Sequence, residues 1–439
     1  MEKHHAKFGA VQEDNILLSD SDTLQASLIE SIAELPFSFN ENDLLNSAKA
    51  IAQNHQAYTK RQLLVDISEL IQRDFGTGIQ RVTRSVLLEL LKNPPDGWRV
   101  EPVFANEHRG YLYARQFTQR LLGLDKREPV DDPVEYLSGD IFLGLDLLHP
   151  RIASFNRDFY QSLRNHGVKV FFVVYDLLPI LLPQYIDDGM VAGFHKWVEI
   201  IAHSDGAICI SKTVADELGV CVRKHGPERL RPFKISWFHL GTDTDSSIPS
   251  LGMPDDADTV LQALRKHISF LMVGTIEPRK DHAQVFAAFE QLWADGIDAN
   301  LVIVGKQGWK VEELIDRLRQ HSELGKRLFW LEGISDEYLE KVYAASTCLI
   351  AASEGEGFGL PLIEAAKHKL PIIARDIPVF REVAGEHAYY FKGSDSAVLV
   401  TVIQDWLTLN AEGKVPQSKA MPWLTWKEST EQLLQAIIH

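Results

Sequence analysis

The 439-residue chain has little cysteine: Cys209, Cys221 and Cys348 lie far apart and without CxxC spacing. Neither a disulfide framework nor a cysteine zinc site is supported, and a reducing cytosol fits best. Positive charge is also short. The 45 Lys plus Arg stand against 61 Asp plus Glu, a net charge of −16, which is the wrong sign for a nucleic-acid binder. Long apolar runs are missing too. The start, MEKHHAKFGAVQEDN, lacks the apolar core of a secretion signal, and the most apolar run, Val168 to Leu182, is broken by Lys169, Asp176 and Pro179. The expectation is a chain that neither exports itself nor spans a membrane. What is present is ordinary for a globular protein, with 45% hydrophobic and 24% charged residues, and the length suits two domains of about 150–200 residues with an extension.

Residues 1–60 are polar and carry one helical stretch, Asn42 to Gln53, with Leu44, Leu45, Ala48 and Ile51 on one face. They read as an appendage, either packed on the first domain or tethering another module. From Gln62 short β-rich runs alternate with helices: LLVDI, a helix over Ile79–Leu91, WRVEPVF, DIFLGL, a helix over Ile152–Asn165, VKVFFVVY, a helix over Val191–His203, GAICI and FKISWF. Apolar strands separated by helices predict a parallel sheet covered on both faces. The polar run Pro249 to Asp258 reads as the linker. A second series follows: SFLMVG, a helix over Ala283–Trp293, ANLVIVG, a helix over Val311–Arg319, RLFWLEG, a helix over Asp336–Ala345, TCLIAA, a helix over Leu362–Lys367 and LPIIAR. The expected fold is α/β, with two doubly wound Rossmann-like domains at 61–248 and 249–415 facing a central cleft, and a closing segment at 416–439. Such folds bind ligands at the carboxyl ends of their strands.

The strongest chemical signal is SEGEGFGLPLIEAAKHKLPIIA, after the strand Thr347 to Ala352. Gly357 and Gly359 let backbone amides approach a ligand, and Pro361 marks a helix start whose N-terminus suits an anion. Glu356 in the loop and Glu364, read in the first helical turn, offer two acceptors for sugar hydroxyls; taken singly, Glu356 also reads as a solvated loop acid and Glu364 as a complement to the helix dipole. In VGTIEPRKDH, Arg279 and Lys280 follow a strand and precede a helix capped by Asp281, where adjacent cations suit a diphosphate. An exposed solvated turn is the bland alternative. RDFGTGIQR carries Gly76 and Gly78 on a turn that either approaches phosphate or is simply tight. In VVYDLLP, Asp176 closes an apolar strand, as a ligand contact or as a helix or turn cap.

Together these elements resemble the retaining, nucleotide-sugar-dependent glycosyltransferases of GT-B fold, family 4, which contains bacterial mannosyltransferases. The resemblance covers about residues 62–435 and is most specific in EGFGLPLIE and VGTIEPRK. It implies that Glu356 contacts the donor sugar, Glu364 the nucleotide ribose, and Arg279 and Lys280 the diphosphate. It places Gly78, Thr275, Ile334, Gly357, Phe358, Gly359 and Leu360 around the donor, with Asp176 among the catalytic groups. WLTWKEST resembles a closing tryptophan helix that crosses back to the first domain. Where the family often has His-Asp, this chain has Tyr175-Asp176, so a histidine contact to the transferred sugar is missing; whether the tyrosine hydroxyl substitutes for it is left open. Where it often has arginine, Thr275 stands, leaving more diphosphate charge to Arg279 and Lys280.

The implied reaction is transfer of a hexose, mannose from GDP-mannose ahead of a UDP-sugar, to a lipid-linked or oligosaccharide acceptor of a bacterial surface glycan. No cofactor is implied, and no metal-ligand cluster is read in the cleft-facing loops. Residues 60–127 hold 12 Lys plus Arg and 8 Asp plus Glu, net +4 against −20 for the rest. That balance suits peripheral contact with the inner face of a membrane; a scatter of solvated cations accounts for it equally. Two other readings stay open: a nucleotide-sugar epimerase of the same fold, and a catalytically silent sugar-nucleotide-binding module.

Overall fold

A computed structural model of the chain describes residues 60–438 apart from 73–76, 107–109, 125–128, 148, 228–232 and 244–251. The expected helix at Asn42–Gln53, Gly76 and the start of the expected linker lie outside the described residues.

The first domain is built on seven strands: β1 (Arg61–Asp66), β2 (Trp98–Asn106), β3 (Gly110–Tyr113), β4 (Ile141–Gly144), β5 (Lys169–Val174), β6 (Gly206–Cys209) and β7 (Lys234–Trp237). Their order is β3-β2-β1-β4-β5-β6-β7. Strands β1, β4, β5, β6 and β7 are parallel, and the interior residues of the first four are buried, as apolar strands sandwiched between helices must be, while the edge strand β7 is only half-buried at Ile235 and Ser236. The expectation of a wholly parallel sheet fails at one edge, where β3 runs antiparallel to β2, pairing Val103 with Tyr113. Only three residues join these strands. A parallel partner would need a crossover of about a dozen.

The second sheet has six strands: β8 (Ile268–Val273), β9 (Ala299–Val304), β10 (Leu328–Leu331), β11 (Cys348–Ala351), β12 (Ile372–Arg375) and β13 (Tyr389–Phe391). All its pairings are parallel, in the order β10-β9-β8-β11-β12-β13. Chain order reverses between β8 and β11, so a crevice opens at their carboxyl ends. The loops that leave these two strands carry VGTIEPRK and SEGEGFG.

Local chemistry sets the helix starts. Ser335 accepts a hydrogen bond from the Tyr338 amide, and Asp336 and Glu337 complement the dipole in the first turn. Thr77 and Gln80 form a reciprocal capping box at the Gly78–Lys92 helix. Three differences from the sequence expectation stand out. The helix expected over 152–165 is two helices, Pro150–Phe155 and Arg157–Asn165, broken at Asn156. The expected linker ends early, because Ala257 already begins the Ala257–Lys266 helix. Helices Lys212–His225, Pro378–Ala384 and Ser396–Ala411, together with β13, add to the elements expected from the sequence.

The helix Trp426–Ile438 lies against the Gly78–Lys92 helix and β7 of the first domain, with Trp426, Leu433 and Ile437 buried. Gly241 bridges to Leu424, and the Ser429 hydroxyl donates to the His239 carbonyl at 2.7 Å. A Cβ on Gly241 would meet the Thr425 backbone at 2.6 Å, so the two passing chains require glycine there.

Candidate active site

Arg279 and Lys280 end a short 3-10 turn, Pro278–Lys280, after β8, and Asp281 turns the chain into the next helix at φ 54° while capping it through the Gln284 amide. Glu356 lies in the loop after β11. The reversal of strand order brings the two loops together. Lys280 Nζ donates to Glu356 Oε1 at 2.5 Å, Arg279 Nη1 lies 3.1 Å from Oε2, and the Ser353 hydroxyl donates at 2.8 Å. These cations are about five-sixths buried, and the Glu356 side chain is 11% exposed. The solvated-acid and solvated-turn alternatives therefore do not describe these residues.

Burial pushes the Glu356 carboxyl up, but Arg279 and then Lys280 outweigh it and hold the group at about 2. Glu277 also pairs with Arg279, at 2.6 Å, and burial raises its carboxyl against the pull of both cations. Asp176 arrives from the end of β5 in the first domain. Burial raises it as well, opposed first by Arg279. Asp176 accepts a hydrogen bond from the Leu178 amide at 3.1 Å, so it serves as a turn cap while sharing the field of the cation pair. Two cations thus face three carboxyls.

Gly357 sits where the domains touch. A Cβ there would lie 1.9 Å from the Tyr175 carbonyl oxygen, and the Gly357 carbonyl accepts from the Ser211 hydroxyl at 2.8 Å. Gly359 adopts φ 96° at the start of the Leu360–Lys367 helix, whose N-terminus no side chain caps, although Pro361 lacks an N–H and the Leu362 amide donates to the Gly359 carbonyl at 2.9 Å. Pro361 is the second residue of that helix. Below the loop a small cavity is lined by Lys280, His282, Ser353, Glu356, Pro361 and Phe380.

Glu364 lies one residue past the first turn rather than within it, and it is buried, so it is more than a surface complement to the dipole. Its Oε1 accepts from Arg81 at 2.5 Å and its Oε2 from the Tyr343 hydroxyl at 2.6 Å. Gly78 begins the helix that carries Arg81 and faces Leu360. Thr275 packs between Gly305 and Gly308, and Ile334 is half-buried at the β10 side of the second domain. Phe358 is buried with its ring edge-on to His239 of the first domain, 5.3 Å between centroids, so it serves the domain contact.

Tyr175 is not placed to substitute for a histidine. Its hydroxyl is buried and donates to the Leu145 carbonyl at 2.7 Å, with Thr83 at 3.2 Å, so it is committed within the first domain.

Other cross-cleft contacts carry no motif. The Tyr185 hydroxyl donates to Glu354 at 2.6 Å, Trp309 Nε1 donates to the Tyr185 carbonyl at 2.9 Å, and Glu382 accepts the amides of Lys212 and Thr213. Arg81 and Glu277 stand inside GTGIQR and VGTIEPRK without a local pattern that marks their role, and nothing in the sequence marks Tyr343. Among the described residues no group of three or more His, Cys, Asp or Glu is arranged to hold a metal ion, and no helix is long and apolar enough to cross a membrane.

Two facing Rossmann-like domains with an anion-ready crevice define a GT-B architecture. Solved structures of that shape include sucrose-phosphate synthase from Thermosynechococcus elongatus, with TM-score 0.58 and 16% identity over 86% of this chain and 98% of that one. Another is Anabaena HepE in complex with UDP and glucose, with TM-score 0.57 and 14% identity over 86% and 99%. Residues 258–420 match the family described as glycosyl transferases group 1. Among curated proteins it is 44% identical over 427 residues to the serotype-specific mannosyltransferase WbdA of Escherichia coli, covering 94% of this chain and 49% of that protein. The chain thus spans about half the length of the curated relatives it matches first.

Proposed function

We propose that the chain is a retaining glycosyltransferase that moves mannose from GDP-mannose to a growing, lipid-linked or oligosaccharide, bacterial surface glycan. The observation that carries this reading is the convergence of Arg279, Lys280 and the Leu360–Lys367 helix N-terminus beside Glu356, opposite Asp176 of the other domain. The similarity to WbdA supports the choice of mannose. Bond breaking leaves one additional negative charge on the departing nucleoside diphosphate. Preorganised cations and amides stabilise that charge without reorganising water. Before the donor arrives, Glu356 and Glu277 hold the cations in place; the diphosphate then takes over part of their hydrogen bonding, and Glu356 turns to the sugar, where positive charge develops. Attack from the face that the leaving group vacates gives retention.

The cations supply the neutralisation that a metal provides elsewhere, so transfer should persist in excess EDTA; activity abolished by chelation and restored by Mg²⁺ or Mn²⁺ would refute this. We place the enzyme in the cytoplasm, peripheral to the inner face of the membrane, where a lipid-linked acceptor would be met. Incubation with a panel of labelled nucleotide sugars tests the whole reading. Transfer of label to glycan supports it, conversion to another free nucleotide sugar would indicate epimerisation, and binding without turnover would indicate a silent module.

A further inference from the structure

Glu364 belongs to the second domain, yet its counter-charge comes from the first. Arg81 reaches it from the Gly78–Lys92 helix, while Tyr343 reaches the other oxygen from the Asp336–Ala345 helix. A carboxylate offers about four acceptor sites, so each oxygen, with one bond made, keeps room for another. The remaining charges near the pair are engaged elsewhere. Lys367 Nζ and His368 Nε2 lie 2.9 Å and 2.7 Å from Glu340, whose carboxyl they hold at about 2, His368 foremost. The Tyr343 ring stacks on His368, and Asp336 adds negative potential at Arg81.

We propose that Arg81 is a positioning residue for the donor: it fixes and neutralises the Glu364 carboxylate so that the two free acceptor sites meet a ribose diol, and it does so only while the two domains are together. The inference rests on the reading of Glu364 as the ribose contact. The guanidinium does not touch the ribose. It decides whether a carboxylate is there to receive it, which links donor affinity in one domain to the position of a helix in the other.

Removing the guanidinium leaves Glu364 buried without the group that fixes it, so its free acceptor sites are no longer held toward a ribose. Because Arg81 acts through Glu364, its loss should matter only while Glu364 is present; a direct contact would add a loss of its own, and a packing role would leave the ribose preference untouched.

The test is calorimetric binding of GDP and 2′,3′-dideoxy-GDP, with UDP and its dideoxy form alongside, at one pH. Wild type should prefer the ribose form by about tenfold or more, since a hydrogen bond to a charged group is worth about 1.5–3 kcal/mol. Arg81→Met should lose that preference, Arg81→Lys should keep part of it, Glu364→Gln should lose it, and the variant carrying both Arg81→Met and Glu364→Gln should bind GDP no more weakly than Glu364→Gln alone. If Glu364→Gln keeps the wild-type preference, the ribose reading itself fails. If Glu364→Gln loses it while Arg81→Met keeps it, the ribose reading stands and the role of Arg81 is overturned. A further loss of GDP affinity in the double variant would make Arg81 a direct contact and also overturn the proposal. Arg81→Gln carries the same expectation should the methionine variant fail to fold.

Discussion

Glu356 should make the stability of the protein fall in acid, by an amount the site itself sets. Its carboxyl titrates near 4.5 when unperturbed and at about 2 in the folded chain, because Arg279 and Lys280 overcome the cost of burial. A folded value below the unfolded one means that the unfolded chain binds more protons between the two. Stability from this group is thus complete above about pH 5 and is lost as pH falls through 4.5 toward 2. Two and a half pH units correspond to about 3 kcal/mol, of which somewhat under half should be gone by about pH 3.5. Glu340 and Glu382 are also held at about 2, so the wild-type curve alone would mix several groups. The comparison that isolates Glu356 is with Glu356→Gln, which mimics its protonated form at every pH. Urea titrations followed by tryptophan fluorescence should show the variant less stable by about 3 kcal/mol at pH 6.5, with the gap closing toward pH 3. Parallel stability curves would show that Glu356 is not held by the cation pair in the folded protein, and the account of the loop would fall with it.

Lys280→Ala should weaken binding of the donor's nucleoside diphosphate by about tenfold or more, since one charge-assisted hydrogen bond is lost; unchanged calorimetric affinity would return Lys280 to the role of a partner for Glu356 alone. Glu364→Ala should raise the donor KM with kcat nearly intact, whereas Glu356→Ala should lower kcat, because one contact is uniform through the reaction and the other grows toward the transition state. Equal KM effects with intact kcat in both would reverse that assignment. Gly357→Ala, which places a methyl 1.9 Å from the Tyr175 carbonyl oxygen, should force the domains apart at that point and cut kcat by at least an order of magnitude. Wild-type turnover in this variant would mean that the close approach is not needed for the reaction.

Much of this protein was written in short-range patterns. Buried parallel strands must be apolar on both faces, so runs such as ANLVIV and LLVDI declared themselves, and the crossover helices followed from their periodicity. The loops at strand ends were legible for the same reason, since a glycine, a proline at a helix start and adjacent cations each serve a local backbone or charge requirement. What such patterns do not carry is the partner. Tyr175 looked like a stand-in ligand because its position in the chain said so, and only the fold showed that its hydroxyl is spent on Leu145 and Thr83. Glu364 looked like a first-turn acid, and only the fold showed it buried between Arg81 and Tyr343, one from each domain. Hydrogen bonds between residues hundreds of positions apart leave no period and no spacing in a single sequence. They exist because strand order reverses at β8 and β11, because two sheets face each other, and because burial makes an unpaired charge too costly to leave alone.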